Sequence, residues 1–169
     1  MEQIVVGMAD CRIADTPEQV LATYALGSCI GLAVHDAAAG VGALLHFMLP
    51  DSAIDAGRSR NNPWMFADTG IPMMLERVLA RGASKRRITV RAAGGASMMD
   101  PQNVFDIGRR NYLAMRKILW RAGVMVHGEA VGGVSSRTVR LEIGSGKFWI
   151  QEAGAERELA AGYPKAGAV

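Results

Sequence analysis

The chain has 169 residues, of which 50% are hydrophobic and 21% charged, a composition that favours one soluble globular domain. Its net charge is only +3 and its aromatic content is 6%. A protein that binds nucleic acid normally has a dense basic stripe with aromatic side chains for stacking, so we expect no nucleic-acid partner. No apolar run reaches the roughly 18 residues of a membrane helix, and no basic stretch precedes the N-terminal apolar run. We therefore expect a cytoplasmic protein without membrane insertion. Its two separated cysteines and three scattered histidines predict no metal site and no cofactor.

The first part of the chain has the pattern of strands. Short runs with β-branched or alternating apolar residues predict strands over residues 3–8, 18–25, 29–36 and 41–49, the last two forming a hairpin around AAAG. Residues 52–64 are rich in glycine, serine, asparagine and proline, which predicts a loop.

The period then becomes helical. Apolar residues recur at helical spacing from Ile71 to Leu79, with Gly82 as a C-terminal cap. A strand is predicted over 86–95 and an amphipathic helix over 107–123. The residues predicted to face inward from this second helix are Leu113, Ile118, Leu119 and Ala122.

Three further strands are predicted over 124–131, 137–144 and 147–153. The order of elements predicts an α/β fold in a single domain, with a mixed β-sheet or sandwich core covered by two main helices. We assign the domain to residues 1–155 and a C-terminal tail, frayed at its end, to 156–169.

Cys29 is the first candidate for chemistry. A cysteine nucleophile needs a nearby base, and a hairpin closed by His35 and Gly40 would bring Cys29 directly opposite His46. Directly opposed residues have Cβ atoms roughly 4.5–5.5 Å apart, whereas a loop one residue longer or shorter would separate the two side chains onto opposite faces. The alternative is that Cys29 and His46 are ordinary buried residues. Cys11 has no such partner and is interpreted as structural.

The two faces of this hairpin differ. Ile30, Leu32 and Val34 lie on an ordinary core face, while Cys29 and His46 share a face with small residues. Small neighbours leave room for a substrate, or for another layer of the same protein. His35 and His127 are interpreted as structural.

A third group often orients the base, and the candidates here are Thr23, Asp51 and Ser52. Sequence spacing does not decide among them. Backbone N–H groups near Gly27, Ser28 and Cys29 are the first candidates for an oxyanion site. Gly94 and Gly95 are the alternative, unless they simply form a tight turn that needs positive φ.

The chain resembles the CheD family of chemoreceptor glutamine deamidases. The resemblance covers about residues 3–150, and several separated motifs carry it in order. They are LGSC (26–29), HFMLPDS (46–52), FADTGIP (66–72), GGASM (94–98), IGRRN (107–111), and the glycine pair 132–133 with the following Arg137. The chain departs from the pattern at Val131, where a polar residue is expected, and in the linker over 55–66.

The resemblance implies a three-layer α/β fold and a catalytic Cys29–His46–Thr23 triad, which favours Thr23 over Asp51. It implies hydrolysis of glutamine side chains on the cytoplasmic helices of chemotaxis receptors, without a cofactor, and a CheC-type phosphatase as a further partner. The rival interpretations are a non-catalytic module that docks on receptors or a phosphatase, and a thiol transglutaminase or protease.

Overall fold

The computed structural model describes residues 1–97 and 105–162, which contain ten strands and three α-helices. The strands are β1 (Glu2–Val5), β2 (Asp10–Ala14), β3 (Gln19–Leu26), β4 (Ile30–Asp36), β5 (Val41–Phe47), β6 (Thr89–Gly94), β7 (Gly128–Val131), β8 (Arg137–Glu142), β9 (Phe148–Glu152) and β10 (Ala155–Glu158). The helices are α1 (Ala56–Asn61), α2 (Ala67–Ala80) and α3 (Ile107–Arg121), with 3₁₀ turns at Ser52–Ile54 and Pro63–Met65. Met98 of the GGASM motif and residues 163–169 of the predicted tail lie outside the described residues.

The strands form two mixed sheets. The first has the order β1-β3-β8-β9-β10 and the second β2-β5-β4-β6-β7. The pairs β1–β3 and β6–β7 are parallel, and the other pairs are antiparallel. The predicted α/β class with a mixed-sheet core is confirmed.

The second sheet is the middle of three layers. One of its faces carries the predicted core residues of β4, and these pack into one apolar cluster with α2 and α3. Its other face packs on the first sheet, where Ala33 and Leu44 join Val139 and Leu141. Over most of the small-residue face, the neighbouring layer is therefore the protein's own first sheet.

The predicted hairpin register is wrong by two residues. Asp36 pairs with Val41 and closes a four-residue loop, so Gly31 rather than Cys29 lies opposite His46. The cause is Asp36, whose buried carboxylate accepts hydrogen bonds from the N–H groups of Ala38 and Ala39 and pairs with Arg87. These contacts hold Asp36 as the last strand residue. Because the shift is even, each side chain keeps its predicted face.

Two other segments differ from the sequence-based expectation. Residues 52–64 form α1 between two 3₁₀ turns, because Asp51, Asp55 and Asn62 each accept a hydrogen bond from a backbone N–H at a turn or helix start. Leu113 of α3 is 51% exposed, so its predicted inward position is wrong. The buried stripe of α3 consists of Gly108, Asn111, Met115 and Leu119.

Two edge strands were missed. The expected boundary at residue 155 falls inside β10, and the chain continues in contact with the body where Leu159 N–H donates to Phe148 O at 2.8 Å. All four residues of β10 are exposed, and β2 has one buried residue, so neither gives a clear period.

The strand predicted over 124–131 is confined to its last four residues, β7. Within residues 1–97 and 105–162, no helix combines the length and apolar character that crossing a membrane requires.

Candidate active site

Thr23 and His46 meet across the two sheets. Thr23 lies on β3 of the first sheet and His46 on β5 of the second, and Thr23 Oγ1 is 2.8 Å from His46 Nδ1. The same hydroxyl donates to Val6 O at 2.7 Å, so it accepts the hydrogen of Nδ1–H. This arrangement assigns His46 the tautomer with a free lone pair on Nε2.

The Nε2 atom of His46 is the available end of the ring. It is buried and has no hydrogen-bond partner among the residues that the structure describes. Burial lowers the pKa of His46 to about 4, so the imidazole is neutral at physiological pH. A neutral imidazole with a fixed Nδ1–H and an open Nε2 can take a proton from a nearby thiol.

Local backbone features allow this meeting of the sheets. The pairing of β3 with β8 shifts between Thr23 and Leu26, a β-bulge in which Ala25 has φ +56°. Gly31, opposite His46, leaves the space that β3 occupies. A Cβ at Gly31 would lie 3.0 Å from Leu26 Cδ1 and 3.5 Å from Thr23 Cγ2. A side chain at this position would therefore crowd Leu26 and Thr23 beside His46.

Cys29 lies in the loop that passes from β3 of the first sheet to β4 of the second. Its carbonyl oxygen accepts from Gly95 N–H at 2.9 Å, and the Gly27 carbonyl accepts from Ala96 N–H at 2.8 Å. Gly94, at φ +117°, lies so close that a Cβ there would overlap Cys29 O. The glycine pair 94–95 thus forms a positive-φ turn that supports the Cys29 loop, and Gly95 N–H is already engaged.

Unlike their carbonyls, the N–H groups of Gly27, Ser28 and Cys29 are not part of the hydrogen bonds that hold this loop. The N–H groups of Gly27 and Ser28 have no acceptor within the described part of the chain, and that of Cys29 contacts its own thiol. A cavity of about 430 Å³ opens beside them. Its lining includes Gly27, Ser28, Cys29, Ala96, Ile107 and Gly108.

The Cys29 thiol is partly buried beside this cavity. Burial raises its pKa, and its own backbone N–H acts in the opposite direction. The resting side chains are therefore a neutral thiol and a neutral imidazole.

The other candidate residues are engaged elsewhere. Asp51 accepts from Ala53 N–H at 2.8 Å in the 3₁₀ turn, and Ser52 Oγ donates to Asp68 at 2.8 Å. The Nδ1 atom of His46, which Asp51 would have oriented, is bonded to Thr23.

The remaining cysteine and histidines have structural surroundings. Cys11 lies on β2, where burial and Asp10 raise its pKa to about 12. His35 Nε2 lies 2.8 Å from Ile143 O, and His127 Nδ1 accepts from Val90 N–H at 2.9 Å.

Sequence reasoning missed two polar residues that support the site. Asn111 Nδ2 donates to Ser28 O at 2.9 Å, next to Cys29. Arg137 donates to Gly94 O at 3.1 Å and pairs with Glu152 at 3.2 Å. Both belong to motifs that were recognised, IGRRN and the glycine pair with its arginine. For Asn111, the sequence did offer a signal: an amide on the inward stripe of a predicted helix, where an apolar residue is expected.

Comparison with known proteins gives one consistent family. A model of the family described as CheD chemotactic sensory transduction matches residues 48–152. A "Probable chemoreceptor glutamine deamidase CheD" of Solibacter usitatus (strain Ellin6076) is 66% identical over 167 residues, 99% of each chain. "Probable chemoreceptor glutamine deamidase CheD 1" of Syntrophus aciditrophicus (strain SB) is 44% identical over 94% of this chain and 100% of that protein.

Among solved structures, the crystal structure of Neisseria meningitidis protein NMB0706 (DUF152) matches with a TM-score of 0.45 at 15% identity, over 79% of this chain and 64% of that one. The family match begins at Met48, after Thr23, Cys29 and His46, whereas the similarity to the Solibacter protein extends over nearly the whole chain.

Proposed function

Because the chain belongs to the CheD family, we propose that it hydrolyses glutamine side-chain amides of chemoreceptors, giving glutamate and ammonia. The observation that carries the proposal is the 2.8 Å contact of Thr23 Oγ1 with His46 Nδ1, which leaves His46 Nε2 unpaired. Cys29 is the nucleophile, His46 the general base and acid, and Thr23 the residue that orients the ring. Cys29 lies two residues before Gly31, the cross-strand partner of His46, so the two side chains share a face of the hairpin as diagonal neighbours and are not directly opposed.

The first half of the reaction forms a thioester. As Cys29 Sγ attacks the carboxamide carbon, its proton passes to His46 Nε2, and the carbonyl oxygen becomes an oxyanion. The C–N bond then breaks, and the imidazolium returns the proton to the departing nitrogen, which leaves as ammonia. Thr23 Oγ1 keeps its hydrogen bond to Nδ1–H throughout, so it stabilises the imidazolium as it forms.

The second half consumes water. His46 Nε2 takes a proton from water as the oxygen attacks the thioester, and the C–S bond breaks. The sulfur recovers the proton from the imidazolium, and the substrate leaves as glutamate. The sum is carboxamide plus water giving carboxylic acid plus ammonia, so the cycle needs no cofactor.

The N–H groups of the Gly27–Ser28–Cys29 segment are the proposed oxyanion donors. Two observations support this role: the carbonyls of all three residues accept hydrogen bonds from Ala96, Asn111 and Gly95, and the cavity lies beside the same loop. The carbonyls of Gly27 and Ser28 share their peptide planes with the N–H groups of Ser28 and Cys29, so the hydrogen bonds to these carbonyls fix the direction of those two N–H groups before charge develops.

The proposed substrates are the cytoplasmic helices of methyl-accepting chemotaxis receptors, so the proposed location is the cytoplasm. A CheC-type phosphatase is the proposed regulatory partner, on the family resemblance.

The test uses a receptor cytoplasmic fragment and mass spectrometry of its peptides. Wild-type protein should convert selected glutamines to glutamate, Cys29→Ala should convert none, and Cys11→Ala should retain the activity as a matched cysteine control. Absence of conversion by the wild type on its cognate receptors would refute the deamidase proposal. Cleaved receptor chains would indicate a protease instead, and covalent adducts with added amines a transglutaminase.

A further inference from the structure

Asn111 contacts both chain segments that carry the proposed dyad. It lies on α3 in the IGRRN motif and is fully buried. Its Nδ2 donates to Ser28 O at 2.9 Å and to Met48 O at 2.9 Å. Ser28 directly precedes Cys29, and Met48 follows His46 by two residues. One amide therefore joins the nucleophile's loop to the strand end that carries the base.

The amide contributes through its donors. Asn111 Oδ1 is buried and finds no hydrogen-bond partner within residues 1–97 and 105–162. A buried unpaired carbonyl lowers stability, so a position that only filled the core would be better served by an apolar side chain. The next residues of the same stripe, Met115 and Leu119, are apolar.

The helix is also held close to the cysteine loop. Gly108, in the first turn of α3, lies against the glycine turn, and a Cβ there would be 2.5 Å from Gly95 O. Gly95 in turn donates to Cys29 O. This close approach places Asn111, one turn further along the helix, at a fixed height over the loop.

We propose that Asn111 is a positioning residue that sets the distance between Cys29 and His46 by bonding Ser28 O and Met48 O with one rigid amide. The inference rests on the Cys29–His46 pairing of the proposed function and adds to it the element that maintains the pairing. A planar amide with two donors spans two carbonyls at once, which an apolar side chain of similar size cannot do.

The experiment measures how much His46 assists Cys29, without using any receptor. The measured quantity is a ratio: the rate of Cys29 alkylation by iodoacetamide in the full-length chain, divided by the same rate in its His46→Gln variant. General-base assistance should make this ratio about tenfold or more at neutral pH. The same ratio is then measured in Asn111→Ala and Asn111→Asp backgrounds. Because both members of each ratio share one background, a general change in the exposure of Cys29 cancels.

We expect the ratio to fall to about one in both Asn111 backgrounds, because a reorganised loop no longer presents Cys29 to His46. Asn111→Asp preserves the shape, but its buried carboxyl stays protonated beside two carbonyl oxygens and offers one donor, so it cannot bond Ser28 O and Met48 O together. Met115→Ala is the matched control: it lies one turn away on α3, removes buried contacts, and should keep the wild-type ratio. In receptor deamidation, the Asn111 variants should lose kcat on the order of 100-fold, as a misplacement of about 1 Å does, with KM changed less.

An undiminished ratio in either folded Asn111 variant would overturn the proposal, as would an equal fall in Met115→Ala. A wild-type ratio of one would overturn it together with the dyad. If the wild type shows His46 assistance and the Asn111 variants lose it, the inference holds even where the receptor fragment is not deamidated. The failure of the substrate assignment is thereby distinguished from the failure of the positioning role.

Discussion

Replacing Thr23 with valine isolates the contribution of one hydroxyl to stability and to catalysis. The two side chains have nearly the same shape, and Thr23 is fully buried. The substitution leaves His46 Nδ1–H without its acceptor and Val6 O without its donor, bonds of 2.8 and 2.7 Å in the native protein. An unsatisfied buried polar group costs about 1–3 kcal/mol, so we expect a loss of about 2–4 kcal/mol in the free energy of unfolding.

The catalytic effect follows from the charge that His46 acquires. In the proposed reaction Nδ1–H donates to Thr23 while the ring is an imidazolium, and a hydrogen bond to a charged group contributes about 1.5–3 kcal/mol. Thr23→Val should therefore lower kcat by about 10- to 100-fold, at 1.36 kcal/mol for each factor of ten. The substrate does not bind to Thr23, so KM should change less.

Thr23→Ser is the control, because it keeps the hydroxyl and loses one methyl group, about 1 kcal/mol of stability. Its kcat should stay within about threefold of wild type. The assays are ammonia release from a receptor fragment and urea unfolding of each variant. Equal kcat for folded Thr23→Val and Thr23→Ser would refute an orienting role for Thr23.

Three further predictions follow from the same geometry. The pKa of His46 is lowered to about 4 from an ordinary value of 6.5, so the imidazole binds a proton more readily in the unfolded chain than in the folded one. The contribution of the neutral imidazole to the free energy of unfolding is therefore complete above pH 6.5 and is lost as the pH falls towards 4. Urea unfolding measures how much the free energy of unfolding falls between pH 7 and pH 4.5, and this fall should be about 2–3 kcal/mol smaller in His46→Gln than in wild type. An identical fall in both proteins would contradict the low pKa. Iodoacetamide at neutral pH should label Cys29 before Cys11, whose pKa burial raises to about 12; mass spectrometry that finds equal or reversed labelling would count against a reactive Cys29. Gly94→Ala should abolish deamidation because its Cβ would overlap Cys29 O, whereas Gly40→Ala, also at positive φ but with open space, should lose only about 1 kcal/mol of stability and remain active.

The sequence predicted the layers better than the contacts. The alternation in 29–36 and 41–49 identified the two faces of the hairpin, and the helical period identified α2 and α3, because both patterns report which side of an element is buried. The register depended on Asp36, whose carboxylate caps its own loop and pairs with Arg87. A residue between a strand and a turn carries no period, so spacing could not decide whether it closed the hairpin.

Thr23 shows the second limit of sequence reasoning. It lies on the first sheet and His46 on the second, and their contact depends on how the two sheets pack. Spacing along the chain left Thr23, Asp51 and Ser52 as equal candidates, and only the family resemblance favoured Thr23. Asn111 was missed for the same reason: its partners are backbone carbonyls 83 and 63 residues away, so no local pattern predicts them.

The burial of the pair gives the proposed reaction its starting state. With the pKa of Cys29 raised and that of His46 lowered, the thiol and the imidazole are both neutral, and the ion pair typical of many cysteine nucleophiles is disfavoured at rest. Proton transfer must then accompany attack on the carboxamide, when the charge moves to the oxyanion donors and to the hydrogen bond with Thr23. Charge forms only where donors and acceptors are already in place, so the correct spacing of thiol, imidazole and N–H groups matters more than the acidity of the thiol. This is why the enzyme's rate should be more sensitive to Asn111 and Gly94, which hold the loop, than to substitutions that only change charge near Cys29.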